Sequence, residues 1–426
     1  MYYPSTRMRK LSERSLLLLL AAVQFTHIVD FMILMPLGPQ LMRQLNIGPS
    51  TLSALVAAYT VSSGIVGLLA APFVDRFDRR KLLLFAYGGF ILGTLSCGLS
   101  FNAATLLVAR AISGTFGGLS IAMIMSIIGD VVPPERRAAG MGIVMTAFSA
   151  ASALGVPFGL QLAQWFRWEA PFLMLAGLAT INWVIAFFFL PSVRGHLENR
   201  GDGDPAHAFA ELLRDSNAWR ALIFMSAAVI GHFAIIPLLS TFLVGNVNLP
   251  ERDLFLVYMT GGVMTVFSAP IVGRLADSLG RRRVFAGMVM VACVVTVWIS
   301  QSGPLPAWVV MVQAAMFFVF ASGRFIPGQA IMTLAVPASR RGAFMSLNGC
   351  ARDLAMGFAS SIGGWIVVKE PTSGHLYHFE WLGWIAVAAG ALSIWLASRV
   401  HVKDVRGPAG ALSTAEAAEV VAAAEF

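Results

Sequence analysis

Twelve apolar stretches, each long enough to cross a lipid bilayer as a helix, constrain this chain more than any other feature. They run at about 15–42, 51–74, 82–100, 103–132, 138–165, 170–190, 218–246, 253–276, 284–302, 305–336, 342–368 and 381–399. A helix needs about 20 mostly apolar residues to span the hydrocarbon core. Strands of a membrane barrel would alternate in character over about ten residues, and these stretches do not alternate. Only 12% of the 426 residues are charged, half of the about 25% that coats an ordinary soluble domain. The expectation is an all-α membrane protein with twelve transmembrane helices.

The first stretch follows Arg7, Arg9, Lys10 and Arg14, a pattern that imitates a secretory signal. Its apolar run continues to about residue 42, which is too long for one, so it is expected to be a retained helix. Cys97, Cys293 and Cys350 all lie inside apolar stretches without CxxC spacing. They read as buried, reduced and structural.

The formal net charge of +8 would suggest nucleic acid in a soluble chain, but its distribution points to topology. If the N-terminus is inside, 23 of the 30 Lys and Arg fall on inner segments, while the outer loops hold Arg43, Arg167, Arg252 and Lys369. Cytoplasmic loops are enriched in Lys and Arg, so both termini are expected in the cytoplasm and no nucleic-acid partner is implied. The remaining three, Arg110, Arg324 and Arg352, lie within the stretches themselves.

The longest polar interruption, about 191–217, contains RGHLENRGDGDPAHAF and splits the helices six and six. The expected units are a cytoplasmic N-tail over 1–14, a six-helix bundle over 15–190, a central cytoplasmic linker over 191–217, a second bundle over 218–400 and a cytoplasmic C-tail over 401–426. Within the linker, Phe209, Leu212 and Leu213 fall on one helical face, compatible with a short interfacial helix and equally with a solvated connection. In the C-tail, Ser413-x-x-Glu416 opens a stretch compatible with a capped helix or with disorder.

The halves repeat one another. Asp75 and Arg79 superpose on Asp277 and Arg281 at an offset of 202, Arg136-Arg137 on Arg340-Arg341 at 204, and His27 on His232 at 205. A near-constant offset is the mark of an internally duplicated transporter.

Taken with that duplication, the loop string Gly273-x-Leu275-Ala276-Asp277-x-x-Gly280-Arg281-Arg282 resembles the cytoplasmic-loop motif of the major facilitator superfamily. The earlier copy keeps Asp75, Arg76, Arg79 and Arg80 but has Ala71 and Asp78 where the family usually carries glycine. Arg110-x-x-Ser113-Gly114-x-x-Gly117-Gly118 is similar to the family motif that sets a membrane Arg beside small residues. Gly155-Val156-Pro157-Phe158-Gly159 resembles the motif of drug:proton antiporters and arabinose-efflux-like permeases, with Gly-Val-Pro in place of Gly-Pro. The resemblance covers about residues 12–400 and implies the major facilitator fold, two pseudo-symmetric six-helix bundles. It also implies a latch of Asp75, Arg76, Arg79, Arg80, Asp130, Asp277, Gly280 and Arg281, whose salt bridges between the halves hold the outward-open state closed on the cytoplasmic side. Gly114, Gly117, Gly155, Pro157 and Gly159 would serve close helix packing. In drug:proton antiporters the residue matching Arg110 is implicated in proton transfer.

A charge near the bilayer centre costs at least about 2.5 kcal/mol, which makes it a functional candidate unless it is paired. Asp30, Asp353, Arg110, Arg324 and Arg352 qualify, with His27 and His232 as titratable neighbours. Gln24, His27 and Asp30 follow at three-residue steps along one helical face, a stripe that must meet a partner helix or an aqueous cavity. The expectation is that it lines the central cavity, with Asp30 carrying the coupling proton and His27 acting as relay or substrate contact. Asp353 lies about 12 residues, or about 18 Å, into its helix. Adjacent side chains diverge by about 100°, so Arg352 and Asp353 need not pair with each other, and one of them is a candidate to pair with Arg324 or with the first helix. Proton coupling is thus expected of Asp30, Asp353, His27 and Arg110. Substrate binding is expected of Gln24, His27, Asp30, Arg324, Arg352, His232, Tyr258 and Asn348; a packing role for His232 is an alternative. Trp165, Trp168, Trp381 and Trp384 read as interfacial anchors.

The sequence shows no Walker loop, nucleotide fingerprint, zinc-type Cys/His cluster or nucleophile elbow, so no cofactor and no enzymatic activity are expected. The energy source would be an ion gradient, with protons favoured by the membrane carboxylates. The expected function is a proton-coupled antiporter, monomeric in the plasma membrane bilayer, exporting a small organic molecule such as a drug, sugar or metabolite by alternating access. The alternatives are a symporter or uniporter for nutrient uptake, and a non-transporting sensor.

Overall fold

The computed structural model describes residues 12–74, 76–133, 136–193, 211–212, 214–337 and 340–401. The two tails and nearly all of the linker, including its suggested interfacial helix, lie outside the described residues apart from a few at their margins. The N-terminal half runs α1 (Glu13–Ile33), α2 (Gly38–Gln44), α3 (Pro49–Val74), α4 (Arg79–Gly98), α5 (Ala103–Val131), α6 (Arg137–Ala150), α7 (Val156–Trp165) and α8 (Ala170–Phe189). The C-terminal half runs α9 (Ser216–Phe233), α10 (Ile236–Gly245), α11 (Leu254–Leu279), α12 (Arg281–Ser300), α13 (Ala307–Gly323), α14 (Phe325–Leu334), α15 (Arg341–Ile366) and α16 (Phe379–Arg399).

Four of the expected stretches are interrupted, and proline explains each interruption. Its ring clashes with the carbonyl four residues back and supplies no N–H. Thus α1 ends at Ile33 before Pro36, α9 at Phe233 before Pro237, and α13 at Gly323 before Pro327. Before Pro157 the chain stays helical by taking one wide π turn, Ala151–Gly155, between α6 and α7, which absorbs the missing bond. Eleven spans in the described residues are long and apolar enough to cross a membrane. The twelfth, α15, is 26 residues long, but it carries Asn348, Arg352, Asp353, Ser360 and Ser361, which make it too polar to stand among the eleven.

The two bundles meet along two seams. On one, α3 lies against α15 so closely that a Cβ added to Gly64 would come within 3.0 Å of the Cys350 carbonyl oxygen. On the other, α11 lies on the π turn, where a Cβ at Gly262 would meet the Ser152 carbonyl oxygen at 2.5 Å. Small residues permit such approach between membrane helices. At the end away from the basic loops, α2 and α10 close the gap, and one continuous buried cluster there includes Leu37, Leu41, Leu239, Phe242 and Tyr258 from both halves. Arg43 and Glu251 tie the same end together across the halves at 2.8 Å. Trp165, Trp381 and Trp384 are exposed as interfacial anchors would be. Trp168 is the exception: it is buried edge-on against Phe172, because it starts the turn into α8 and fills that corner.

Candidate functional site

The stripe on α1 turns inward. Gln24, His27 and Asp30 are all buried; His27 and Asp30 meet α4 and α5 within the N-terminal bundle in place of the expected central cavity. The His27 ring sits 3.9 Å from Phe90 and 5.4 Å from Tyr87, centroid to centroid. Asp30 accepts hydrogen bonds from Arg110 Nη1 at 2.9 Å and Thr94 Oγ1 at 3.1 Å. Arg110 Nη1 also donates to the Asp30 carbonyl at 3.1 Å, and its guanidinium lies 4.5 Å over the Tyr59 ring of α3, a cation–π arrangement. Neither side chain of the pair has exposed surface. A buried carboxylate is tolerated only with such a partner, and the face of α1 is therefore decided by Arg110. Gly117 makes room: a Cβ there would lie 2.6 Å from the Tyr59 hydroxyl, and Gly114 faces the Tyr59 carbonyl more tightly still.

This pocket is not fully satisfied. Arg110 Nε and Nη2, both ring nitrogens of His27, Gln24 Oε1 and the Tyr59 hydroxyl are enclosed with no hydrogen-bond partner.

The C-terminal half arranges its charges differently. Asp353 Oδ2 accepts a hydrogen bond from Ser63 Oγ at 2.6 Å, crossing the α3–α15 seam. Arg352 Nη2 lies 3.5 Å from Asp353 Oδ1: the long Arg side chain folds back over the roughly 100° that separates neighbours on a helix. The Arg352 side chain is 46% exposed. At membrane depth that requires an aqueous space. Arg324, at the break between α13 and α14, reaches neither of them. It is 3% exposed, its Nε and Nη2 have no partner, and its guanidinium lies 5.5 Å from the Phe325 ring. His232 stacks on Phe317 at 5.2 Å and stands 6.1 Å from Phe325, with Nδ1 unpartnered. Tyr258 shares a 2.7 Å hydrogen bond with Ser240 inside its own bundle, while Asn348 is buried with Oδ1 unpartnered.

Phe31 joins the two sites. It lies 5.5 Å from Tyr59 and 5.9 Å from Phe233 of the other half. Phe31, Phe233 and Phe325 share one cluster with Val229 and Met356. All three stay partly exposed although they stand where the halves meet.

At the basic end, the ion pairs seen among the described residues do not bridge the bundles as a latch would. Arg79 pairs with Asp130 at 2.6 Å and Arg136 with Glu13 at 2.9 Å, each within the first half, and Arg340 pairs with Glu211 of the linker at 2.7 Å. Arg80 donates to the Phe187 carbonyl of α8, Arg76, Asp277 and Arg281 are exposed, and Asp75 lies outside the described residues. The halves are packed together at the opposite end. Gly280, with φ +93°, forms the corner between α11 and α12, a conformation that favours glycine. In the first copy Asp78 stands where glycine is usual and instead caps α4, accepting from the Arg80 amide at 3.0 Å and Ser192 Oγ at 2.6 Å.

The family model of the Major Facilitator Superfamily matches residues 20–323 and, overlapping, 253–424. The chain belongs to the Major Facilitator Superfamily. Among its relatives, Multidrug resistance protein 2 of Bacillus subtilis is 22% identical over 392 residues, 90% of this chain and 96% of that protein. The uncharacterized MFS-type transporter YhcA of the same organism is 31% identical over 231 residues, 52% of this chain and 43% of that one, so the match spans less than half of that relative. A solved D-xylose-proton symporter shares the fold at a TM-score of 0.73 and 16% identity, covering 92% of this chain and 98% of its own. A bacterial homolog of the human lysosomal transporter Spinster does so at 0.70 and 12%, covering 94% and 100%.

In this superfamily transporter the structure brings Asp30 and Arg110 together in the first bundle and Arg352 and Asp353 together in the second, with Arg324 and His232 both beside Phe325; Tyr258 bonds Ser240 instead. Sequence reasoning missed Tyr59, Ser63 and Thr94. The signal was present in Tyr59-Thr60-Val61-Ser62-Ser63, a polar patch inside an apolar stretch with Tyr59 and Ser63 at helical spacing i, i+4.

Proposed function

We propose that this transporter is a secondary active, proton-coupled antiporter that exports a small organic molecule, with Asp30 as the proton carrier. The observation that carries the reading is the enclosed Asp30–Arg110 pair. A guanidinium does not give up its proton in proteins. Protonation of Asp30 therefore leaves Arg110 as an unpaired charge in the interior, a penalty of several kcal/mol. Opening the packing around α5 and hydrating Arg110 relieves it, so arrival of a proton biases the protein towards its other state. Asp353 places a second titratable group on the seam about which the halves rock, held to Ser63 across it.

The excess of Lys and Arg on the corresponding loops supports a cytoplasmic placement of that end and of both termini. In the plasma membrane, the conformation described is then the one closed towards the outside. Inward proton flow through the Asp30 pocket would drive outward movement of substrate bound between the halves, in a monomer and with no cofactor beyond the proton gradient.

The test is internal pH in proteoliposomes loaded with a pH dye, scanned against drugs, sugars and organic anions. The expected result is substrate-dependent proton release that Asp30→Asn abolishes. Full coupling in both Asp30→Asn and Asp353→Asn would remove the mechanism. Substrate and protons moving the same way would make the protein a symporter, and substrate flux without proton movement would make it a uniporter with Asp30 structural.

A further inference from the structure

The charges of the membrane interior balance in every case but one. Arg110 is neutralised by Asp30 at 2.9 Å, and Arg352 lies 3.5 Å from Asp353. Arg324 is the most enclosed cation after Arg110, yet among the described residues it has no acid within ion-pair distance, and two of its three nitrogens lack any partner. A buried guanidinium without a counter-charge is costly, and an anion from outside the chain would balance it.

The surroundings say what kind of anion. His232, within electrostatic reach of Arg324, offers an unpartnered Nδ1. Phe325 touches both residues, and with Phe233 and Phe31 it forms a partly exposed apolar surface where the two halves meet. A bare inorganic ion would leave those rings without a partner, while a molecule with an apolar body and one anionic end would use both features.

We propose that Arg324 and His232 form the anion-binding end of the substrate site, with Phe31, Phe233 and Phe325 as its apolar wall, so that the transported class is amphipathic organic anions or zwitterions. This rests on the reading that substrate binds between the halves, but it is independent of which ion drives transport.

The probes are 2-naphthoate and its neutral isostere 2-naphthamide, titrated calorimetrically into the detergent-purified full chain with no proton gradient. Wild type is expected to bind 2-naphthoate at least about tenfold more tightly than the amide, the scale of one charged hydrogen bond. Arg324→Gln should bring that ratio close to one, Arg324→Lys should retain part of it, and Phe31→Ala should weaken both probes alike. Should Arg324→Gln fail to fold, the wild-type ratio and the Lys variant decide. The proposal is overturned if wild type binds neither probe at millimolar concentration, if it binds both equally, or if the preference survives in Arg324→Gln. It is also overturned if chloride or phosphate alone stabilises the protein as much as 2-naphthoate, because the site would then hold an inorganic counter-ion. Anion preference in detergent together with absent proton coupling in liposomes would discard the proton mechanism and leave this site standing.

Discussion

The two halves repeat one another in sequence at a near-constant offset yet handle buried charge in opposite ways. In the first, Asp30 and Arg110 are enclosed together and neutralise each other within one bundle. In the second, Arg324 is enclosed with two nitrogens unpartnered, while Asp353 accepts a bond from Ser63 of the other half and lies beside Arg352. On the proposed reading, the contrast is a division of labour. A closed ion pair responds to protons, since protonation of the carboxylate is the one change that unbalances it. An unpaired guanidinium responds to anions, since only a ligand can balance it.

The sharpest way to break this comparison is to remove one member of each site and measure unfolding in detergent. Arg110→Gln leaves Asp30 buried and unpaired, and should destabilise the protein by about 3–5 kcal/mol. Combining it with Asp30→Asn should restore most of that loss, because neither charge then remains. Additive losses in the double variant would show that the pair is not an interacting unit. Arg324→Met should do the opposite and raise stability, by about 2.5 kcal/mol on the scale for a central membrane charge. A loss of stability in Arg324→Met would mean that the protein supplies its own counter-charge there, and the contrast between the halves would fall.

A smaller effect is expected at the seam. Ser63→Ala removes the hydroxyl that holds Asp353 across α3 and α15, a hydrogen bond to a charged group worth about 1.5–3 kcal/mol. Because the bond joins the two halves, on the proposed alternating-access mechanism its loss should shift the conformational equilibrium as well as the melting temperature. Distance measurements between spin labels on the basic loops of the two halves would report that shift. An unchanged distance distribution would confine Ser63 to packing.

Much of this arrangement is legible in the sequence, and the reasons for the rest are physical. Membrane charges announce themselves by their cost, which is why Asp30, Arg110, Arg324 and Asp353 stand out without coordinates. The i, i+3 spacing of Gln24, His27 and Asp30 fixes a shared face but not which neighbour that face meets, and Arg110, 80 residues along the chain, decides it. Helical phase gave the angle between Arg352 and Asp353 but not the reach of a long, flexible side chain. Tyr59, Ser63 and Thr94 stayed hidden because hydroxyls are ordinary in membrane helices. Many bond only their own backbone, as Ser62 does to the Ala58 carbonyl at 2.7 Å. The breaks before Pro36, Pro237 and Pro327 were readable in principle. Continuous apolarity masked them, because a broken helix buried by its neighbours stays as hydrophobic as an intact one.

The smallest expected effect tests closure at the far end. Arg43 and Glu251 meet across the halves with two hydrogen bonds, at 2.8 and 3.3 Å, and the bond to Glu251 raises the pKa of Arg43 further, so ordinary pH does not remove its charge. The Arg43 side chain is nevertheless 61% exposed, and exposed pairs contribute below about 1 kcal/mol and weaken with salt. Arg43→Gln should therefore shift the spin-label distances slightly towards the state open at this end at low ionic strength, and hardly at all at high salt. The apolar cluster of Leu37, Leu41, Leu239 and Phe242 remains in the variant, and it is this burial that keeps the end shut. A large, salt-independent opening in Arg43→Gln would reverse that ranking and make the ion pair the gate.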